Sequence, residues 1–253
     1  MSRLLNDLFK TGCVFVAFAG LTACTTGESG QLINDPYEQT NRHIHSFNKG
    51  LDRNLLRPAG QVAAATPEEL TGPISNFADN VGLPGAVANG LLQGDIGGAA
   101  TNTMRFVVNT TVGVGGLLDP AGGIGLTEEK TDFGETLAVW GVGEGAYVEM
   151  PVLGPSTQRD AVGFVVDLFL DPLENVGLST LNDYGTASRG LDLAITRGRF
   201  METIDSVLYD SADSYSQARL AYLQNRRFDL GETVTAAEEI DPFADDLNLE
   251  GFE

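Results

Sequence analysis

The chain has 253 residues and a mass of 26.8 kDa, room for one or two domains with a real core, and its 42% hydrophobic and 20% charged residues exclude wholesale disorder. With 15 basic against 35 acidic residues the formal charge is −20 and the pI about 4.2, a surface that repels polyphosphate and excludes nucleic acid as a partner. Cys13 and Cys24 are the two cysteines, both near the N-terminus, so the body carries neither a disulfide framework nor a cysteine-rich metal site.

In chain order, Arg3 and Lys10 precede a short apolar run that closes at Leu21-Thr22-Ala23-Cys24. That is the layout of a secretory signal, too short for the roughly 20 apolar residues that span a bilayer. Its end resembles a bacterial lipobox, which implies cleavage before Cys24 and a covalent lipid on its thiol, with residues 24–33 as a polar tether. Thr25, where inner-membrane lipoproteins often carry Asp, points to the outer membrane. No later apolar run approaches about 18 residues, so membrane contact beyond the anchor must be amphipathic.

Asn34-Asp35-Pro36 reads as a capped helix start, and Ile44, Phe47, Leu51 and Leu55 follow at helical spacing until Pro58 ends the helix. Thr66-Pro67-Glu68-Glu69 opens a second helix through Ile74, Phe77 and Val81. From Pro84 to Val108 the sequence is small and apolar, with Gly90, Gly94 and Gly98 spaced to share one helical face. Such a face serves either a membrane helix pair or tight packing in a soluble core. A glycine-rich loop is expected over 113–125, broken by Leu117-Leu118-Asp119-Pro120.

Leu137 to Trp140 and Tyr147 to Met150 read as two short strands around a turn of Gly141, Gly143 and Gly145, the one β-hairpin of the chain. Gln158 to Leu170 is a helix with Val162, Val165, Val166 and Phe169 inward, ending at Asp171-Pro172. From Leu181 to Leu208 one long helix is expected, with Tyr184, Ala187, Leu191, Ala194, Met201, Ile204 and Leu208 as its buried stripe. A tyrosine-bearing helix covers Ala212 to Arg227, and nine acidic residues without a basic one mark 229–253 as a solvated tail.

The search for catalytic motifs is negative. There is no Gly-x-Ser-x-Gly elbow, no His-Glu-x-x-His and no phosphate-binding glycine loop. His43 and His45 lie two apart on a predicted helix, hence on different faces, poor geometry for a shared metal and read as surface or interfacial positions.

Several stretches together resemble the MlaA (VacJ) family of phospholipid-transport lipoproteins. They are Asn34-Asp35-Pro36-Tyr37-Glu38, Thr40-Asn41-Arg42, Phe47-Asn48-Lys49-Gly50-Leu51-Asp52, Arg57-Pro58, Asn89-Gly90-Leu91-Leu92-Gln93-Gly94-Asp95, Arg105 to Thr110, Gly115 to Asp119, Asp132 to Leu137, Trp140 to Gly145 and Arg159-Asp160. They run in the family's order over residues 34–228, and the chain departs at Gln39-Thr40, where the family usually has Gly-Phe. The resemblance implies a mainly α, ring-shaped bundle of amphipathic helices, sunk into the inner leaflet of a Gram-negative outer membrane beside a trimeric porin. Its central channel would take mislocalised phospholipid from the outer leaflet to a periplasmic carrier protein, MlaC-like, with no cofactor beyond the lipid on Cys24 and no enzymatic step. The alternative is a scaffold lipoprotein that clamps a porin and moves nothing. The gate assigned to the channel joins Asn41, Arg42, Phe47 and Asn48 to the turn of Trp140, Gly141, Gly143, Gly145 and Tyr147. An ordinary surface hairpin is the competing role for that turn.

Overall fold

The computed structural model describes residues 33–170 and 179–232. The expected signal segment, Cys24, the tether, the Asp171-Pro172 helix end and nearly all of the acidic tail lie outside these residues. The body is mostly helical with one antiparallel hairpin.

Helix α1 (Glu38–Leu51) does not stop at Pro58. It passes through a widened π turn, Asp52–Leu56, into α2 (Arg57–Ala64), with Pro58 in the first turn of α2. Proline has no N–H to give, and the start of a helical segment is where that loss matters least. Asp35 does not cap α1 either. The residue at the cap is Tyr37, without a side-chain bond, while Asp35 accepts from Asn41, Tyr215 and Arg219.

Helix α3 (Glu68–Gln93) carries Pro73 and Pro84 inside it, each costing an internal hydrogen bond that packing against α4 and α8 outweighs. It ends at Gly94, which is left-handed at φ 79°, and Asp95 then caps α4 (Ile96–Thr111) by accepting from the Gly98 amide. The three spaced glycines therefore do not share a helical face. Gly90 lets Ala99 approach, Gly94 makes the corner and Gly98 lies under the Asp95 carboxylate.

After a glycine-rich turn comes α5 (Pro120–Gly123), then α6 (Phe133–Val139), capped by Asp132 through the Glu135 amide. The segment expected as a first strand is thus a helix. Its apolar run imitated a strand, while the Asp-x-x-Glu start signal went unread. The hairpin lies one strand later. Strand β1 (Tyr147–Met150) pairs with β2 (Gly154–Thr157), Tyr147 opposite Thr157, through a turn in which Val152 sits at φ 71°. Helix α7 (Gln158–Leu170) has the expected bounds.

Helix α8 (Ser179–Arg199) is shorter than expected. Phe200 interrupts it, and α9 (Met201–Asp205) leads through a second π turn, Ser206–Asp210, to α10 (Ser214–Asp229), capped by Asp213. The face of α8 is inverted too. Tyr184 and Leu191 are exposed, while Gly185, Ser188, Ile195 and Gly198 are buried.

Contacts close in a circle: α1 on β1, β1 on α7, α7 on α6, α6 on α3, α3 on α8, α8 on α2, and α2 back to α1 through the π turn. This is the ring. The two π turns meet across one seam, where Asp52 of the first accepts from Tyr209 of the second at 2.7 Å and from Arg197 at 2.7 Å. Burial and the Asp52 carboxylate push the Tyr209 hydroxyl up to about 12.

Three seams depend on glycine. A Cβ on Gly198 would sit 2.4 Å from the Gly60 carbonyl oxygen, one on Gly185 would sit 2.4 Å from a Val81 methyl, and one on Gly163 would sit 2.3 Å from the Gly134 nitrogen. Gly198→Ala should therefore pry α2 from α8 and lower stability by about 1–3 kcal/mol. Gly190→Ala, on the same helix with nothing within 4 Å, should be neutral or stabilising by up to ~1 kcal/mol. Thermal unfolding of the two variants checks this, and equal melting temperatures would contradict it.

Candidate functional site

The first gate stretch and β1 do meet. Asn41 and Asn48 lie two turns apart on one face of α1, and each treats the edge of β1 as a neighbouring strand would. Asn41 donates to the Tyr147 carbonyl at 3.2 Å and accepts from the Glu149 amide at 3.0 Å. Asn48 donates to the Met150 carbonyl at 2.9 Å and accepts from the Val152 amide at 2.7 Å.

His43 is exposed, whereas His45 sits between Asn41 and Asn48, buried at the interface of α1, β1 and α10, within the expectation of surface or interfacial histidines. Its Nδ1 lies 3.3 Å from Glu149, its Nε2 3.1 Å from the Ser214 hydroxyl, and its ring meets Tyr215 edge-on. Glu149 also accepts from the Tyr147 hydroxyl, which burial and that carboxylate push well above its usual range.

Ser214, His45 and Glu149 thus stand in the order of a hydrolase relay that no sequence motif disclosed. The surroundings oppose that chemistry. The Tyr215 and Ser216 amides, placed to hold an oxyanion, are already bonded to Asp213, and Lys49 donates to the Ser214 hydroxyl. The arrangement is a buried polar lock between α1, β1 and α10.

The other gate candidates separate. Arg42 is held by Glu38 and by both Asp213 oxygens, 3.0 and 2.8 Å away, and stacks over Tyr215. Phe47, expected to pack, is 57% exposed. Trp140 caps α6, donates to the Leu92 carbonyl at 3.1 Å and remains half exposed. Gly141 and Gly145 take positive φ, but the loop they bracket is tethered: Glu144 pairs with Arg227 at 2.6 Å and its carbonyl accepts from the Arg159 amide. Tyr147 is buried as part of β1.

The same amide pairing recurs across the ring. Asn102 donates to and accepts from the Glu129 backbone, and Asn109 joins Asp119 to the Ala121 amide. Asn89 donates to Asp167 at 2.8 Å and accepts from Thr136. Beside it, a cavity of about 300 Å³ opens between α3, α8 and the 126–132 segment, lined by Asp79, Glu128, Lys130, Thr131, Arg189 and Asp192.

The carboxylates divide by surroundings. Burial alone would raise Asp160, but the Tyr222 hydroxyl, Arg226 and Arg159 outweigh it and hold it below the usual range. Burial raises Asp79, helped by Asp192, and raises Glu128, helped by Asp79; Asp167 is raised mainly by burial. Among the described residues, no three His, Cys, Asp or Glu side chains converge as a metal site.

Two outcomes follow. Asn41→Ala or Asn48→Ala should each cost about 1–3 kcal/mol in thermal unfolding, because each strands a backbone donor and acceptor of β1; an unchanged melting temperature would show water replacing the amide without loss. Groups with raised pKa bind protons more tightly when folded, so their contribution to stability should grow as pH falls through their raised folded values toward the ordinary carboxylate range. Depressed Asp160 works oppositely: its contribution is complete above the unfolded carboxylate value and lost as pH falls through the folded one. Melting temperature should thus drop below about pH 4, and Asp160→Asn should flatten that acid limb while lowering the neutral value.

The MlaA lipoprotein family matches residues 33–229. The chain is 34% identical over 223 residues to the intermembrane phospholipid transport system lipoprotein MlaA of Escherichia coli (strain K12), covering 82% of this chain and 83% of that one. It is 28% identical to the protein of that name from Haemophilus influenzae, over 87% and 90% of the two chains, and 33% identical to a Rickettsia bellii protein over 77% and 76%. A chain solved in work on the structural basis for maintenance of bacterial outer membrane lipid asymmetry superposes with a TM-score of 0.65 at 33% identity, covering 78% of this chain and 98% of its own. With α1 joined to the hairpin through Asn41 and Asn48 and a family match across the described body, this chain belongs to the MlaA lipoprotein family.

Proposed function

We propose that the chain is an outer-membrane lipoprotein that withdraws mislocalised phospholipid from the outer leaflet, passes it through the ring beside a trimeric porin, and hands it to a periplasmic carrier. Lipid asymmetry is maintained by movement alone, without covalent chemistry. The observation that carries this reading is the inverted distribution of side chains. Buried positions hold Asn41, Asn80, Asn89, Asn102, Asn109 and Arg105, while Phe47, Leu55, Val62, Leu91, Tyr184 and Leu191 are exposed.

Such a surface suits acyl chains and is costly in water. None of the described helices is long and apolar enough to cross a membrane, so the body would lie within one leaflet, helices meeting their own backbone hydrogen bonds. A lipid on Cys24 would make attachment durable. Control of passage, in this reading, rests where Asn41 and Asn48 hold β1 and the 140–146 loop is tethered through Glu144.

Purified full-length protein in vesicles bearing a labelled phospholipid, mixed with a soluble acceptor carrier, tests the reading. Intact labelled lipid on the carrier is the expected result. Cleavage products would make the chain an enzyme, and no transfer would leave it a scaffold. Cys24→Ser should keep the melting temperature of the acylated form yet fail to restore lipid asymmetry in cells lacking the native chain. Full restoration would remove the anchor from the mechanism.

A further inference from the structure

Most arginines of the body are committed to a carboxylate. Arg42, Arg57, Arg105, Arg159, Arg197 and Arg226 each form an ion pair within 4.0 Å. Lys130 and Arg189 depart from this pattern. Both line the cavity between α3, α8 and the 126–132 segment, and neither pairs with Asp79, Glu128 or Asp192, which line it too. Among the described residues, none of these five groups makes a hydrogen bond or an ion pair.

Five charges of both signs thus share about 300 Å³ without contact pairing, and only the longer-range fields of Lys130 and Arg105 partly offset Asp79 and Glu128. In a chain with acids in more than twofold excess, two uncommitted cations in one cavity make a place for an anion, and the three carboxylates beside them make a place for a cation. The volume lies at the lower end of small-molecule sites, enough for a headgroup and too small for acyl chains. The remaining walls are Ala78, Gly82 and Ala86, whose small size keeps the space open. Thr131 adds a hydroxyl.

We propose that this cavity receives the zwitterionic headgroup of an ethanolamine-type phospholipid, its ammonium among Asp79, Glu128 and Asp192 and its phosphate at Lys130 and Arg189. The assignment rests on the transport reading and makes it selective. A phosphoglycerol headgroup brings the phosphate without the ammonium, and leaves three carboxylates facing added negative charge. A divalent cation fits less well, since no metal-ligating cluster exists among the described residues. The upward displacement of Asp79 by burial and Asp192, and of Glu128 by burial and Asp79, is what an arriving cation would relieve.

The test is the lipid carried by the full acylated protein after purification from vesicles of equal phosphatidylethanolamine and phosphatidylglycerol, read by native mass spectrometry. Phosphatidylethanolamine should be enriched about threefold or more, the scale that a few solvated ion pairs supply. Asp79→Asn with Asp192→Asn should abolish the enrichment while lipid is still carried, and Glu128→Gln should weaken it. Lys130→Gln with Arg189→Gln should lower total bound lipid of both kinds. Since these side chains make no hydrogen bond or ion pair, none of the variants should melt below the native chain. Equal loading of the two lipids, or enrichment that survives the carboxylate variants, would overturn the proposal and leave transport standing. Binding of neither lipid would overturn both readings. Soluble glycerophosphoethanolamine binding without any lipid enrichment would assign the cavity to a free metabolite and likewise overturn the headgroup role.

Discussion

A side-chain amide carries an N–H donor and a carbonyl acceptor side by side, as a peptide group does, and this fold is held together by that likeness. Asn41 and Asn48 complete the edge of β1, Asn102 fastens the 129 backbone to α4, and Asn109 fastens α5. Each bond contributes modestly, about 1 kcal/mol net, but its loss strands buried backbone groups that cost more. The reliance follows from the inverted surface. With so many apolar side chains outward, the buried apolar set among the described residues is sparse, alanines beside Val81, Leu83, Leu137 and Ile195 and the cluster of Tyr147, Tyr215 and Leu223, and specificity passes to polar pairing.

Ion pairs extend the same logic over long sequence separations. Arg197 reaches Asp52, Arg57 reaches Asp205, Arg42 reaches Asp213, and Arg219 reaches Asp35. Together they tie the C-terminal helices to the first one, so the ends of the described chain close upon each other. Glycine seams let the helices come near enough for these groups to meet. Asp35 shows the economy of the arrangement: expected to cap a helix, it instead gathers Asn41, Tyr215 and Arg219 at one carboxylate.

The helical character, the extent of α7 and the start of α3 were legible because periodicity and, for α3, Pro67 followed by the acidic first turn of Glu68 and Glu69 agree there. Two of the errors share a source. Tyr184 and Leu191 read as a buried stripe because apolar residues face inward in water, and the periodicity was right while its direction was not. Phe47 was misplaced for the same reason. Leu137 to Trp140 imitated a strand because a short apolar run has no distinctive period, whereas Asp132 and Glu135 carried the helix signal. Of the site, Asn41 and Asn48 were named from the family pattern but their backbone role was not, since a register against β1 is invisible before the hairpin is placed. The charged cavity was missed because Asp79, Glu128, Lys130, Arg189 and Asp192 are scattered over the chain and only the ring assembles them.

The outward apolar surface also changes what unfolding means. In a water-soluble domain, heat capacity rises on unfolding mainly because buried apolar groups become hydrated. Here much of that surface already faces its surroundings in the folded state, and in a bilayer or micelle those surroundings are hydrocarbon. If the unfolded chain stays associated with the amphiphile, little apolar surface meets water during the transition. The stability curve would then be flat with temperature, and its denaturant sensitivity would report loss of polar pairing rather than exposure of a core.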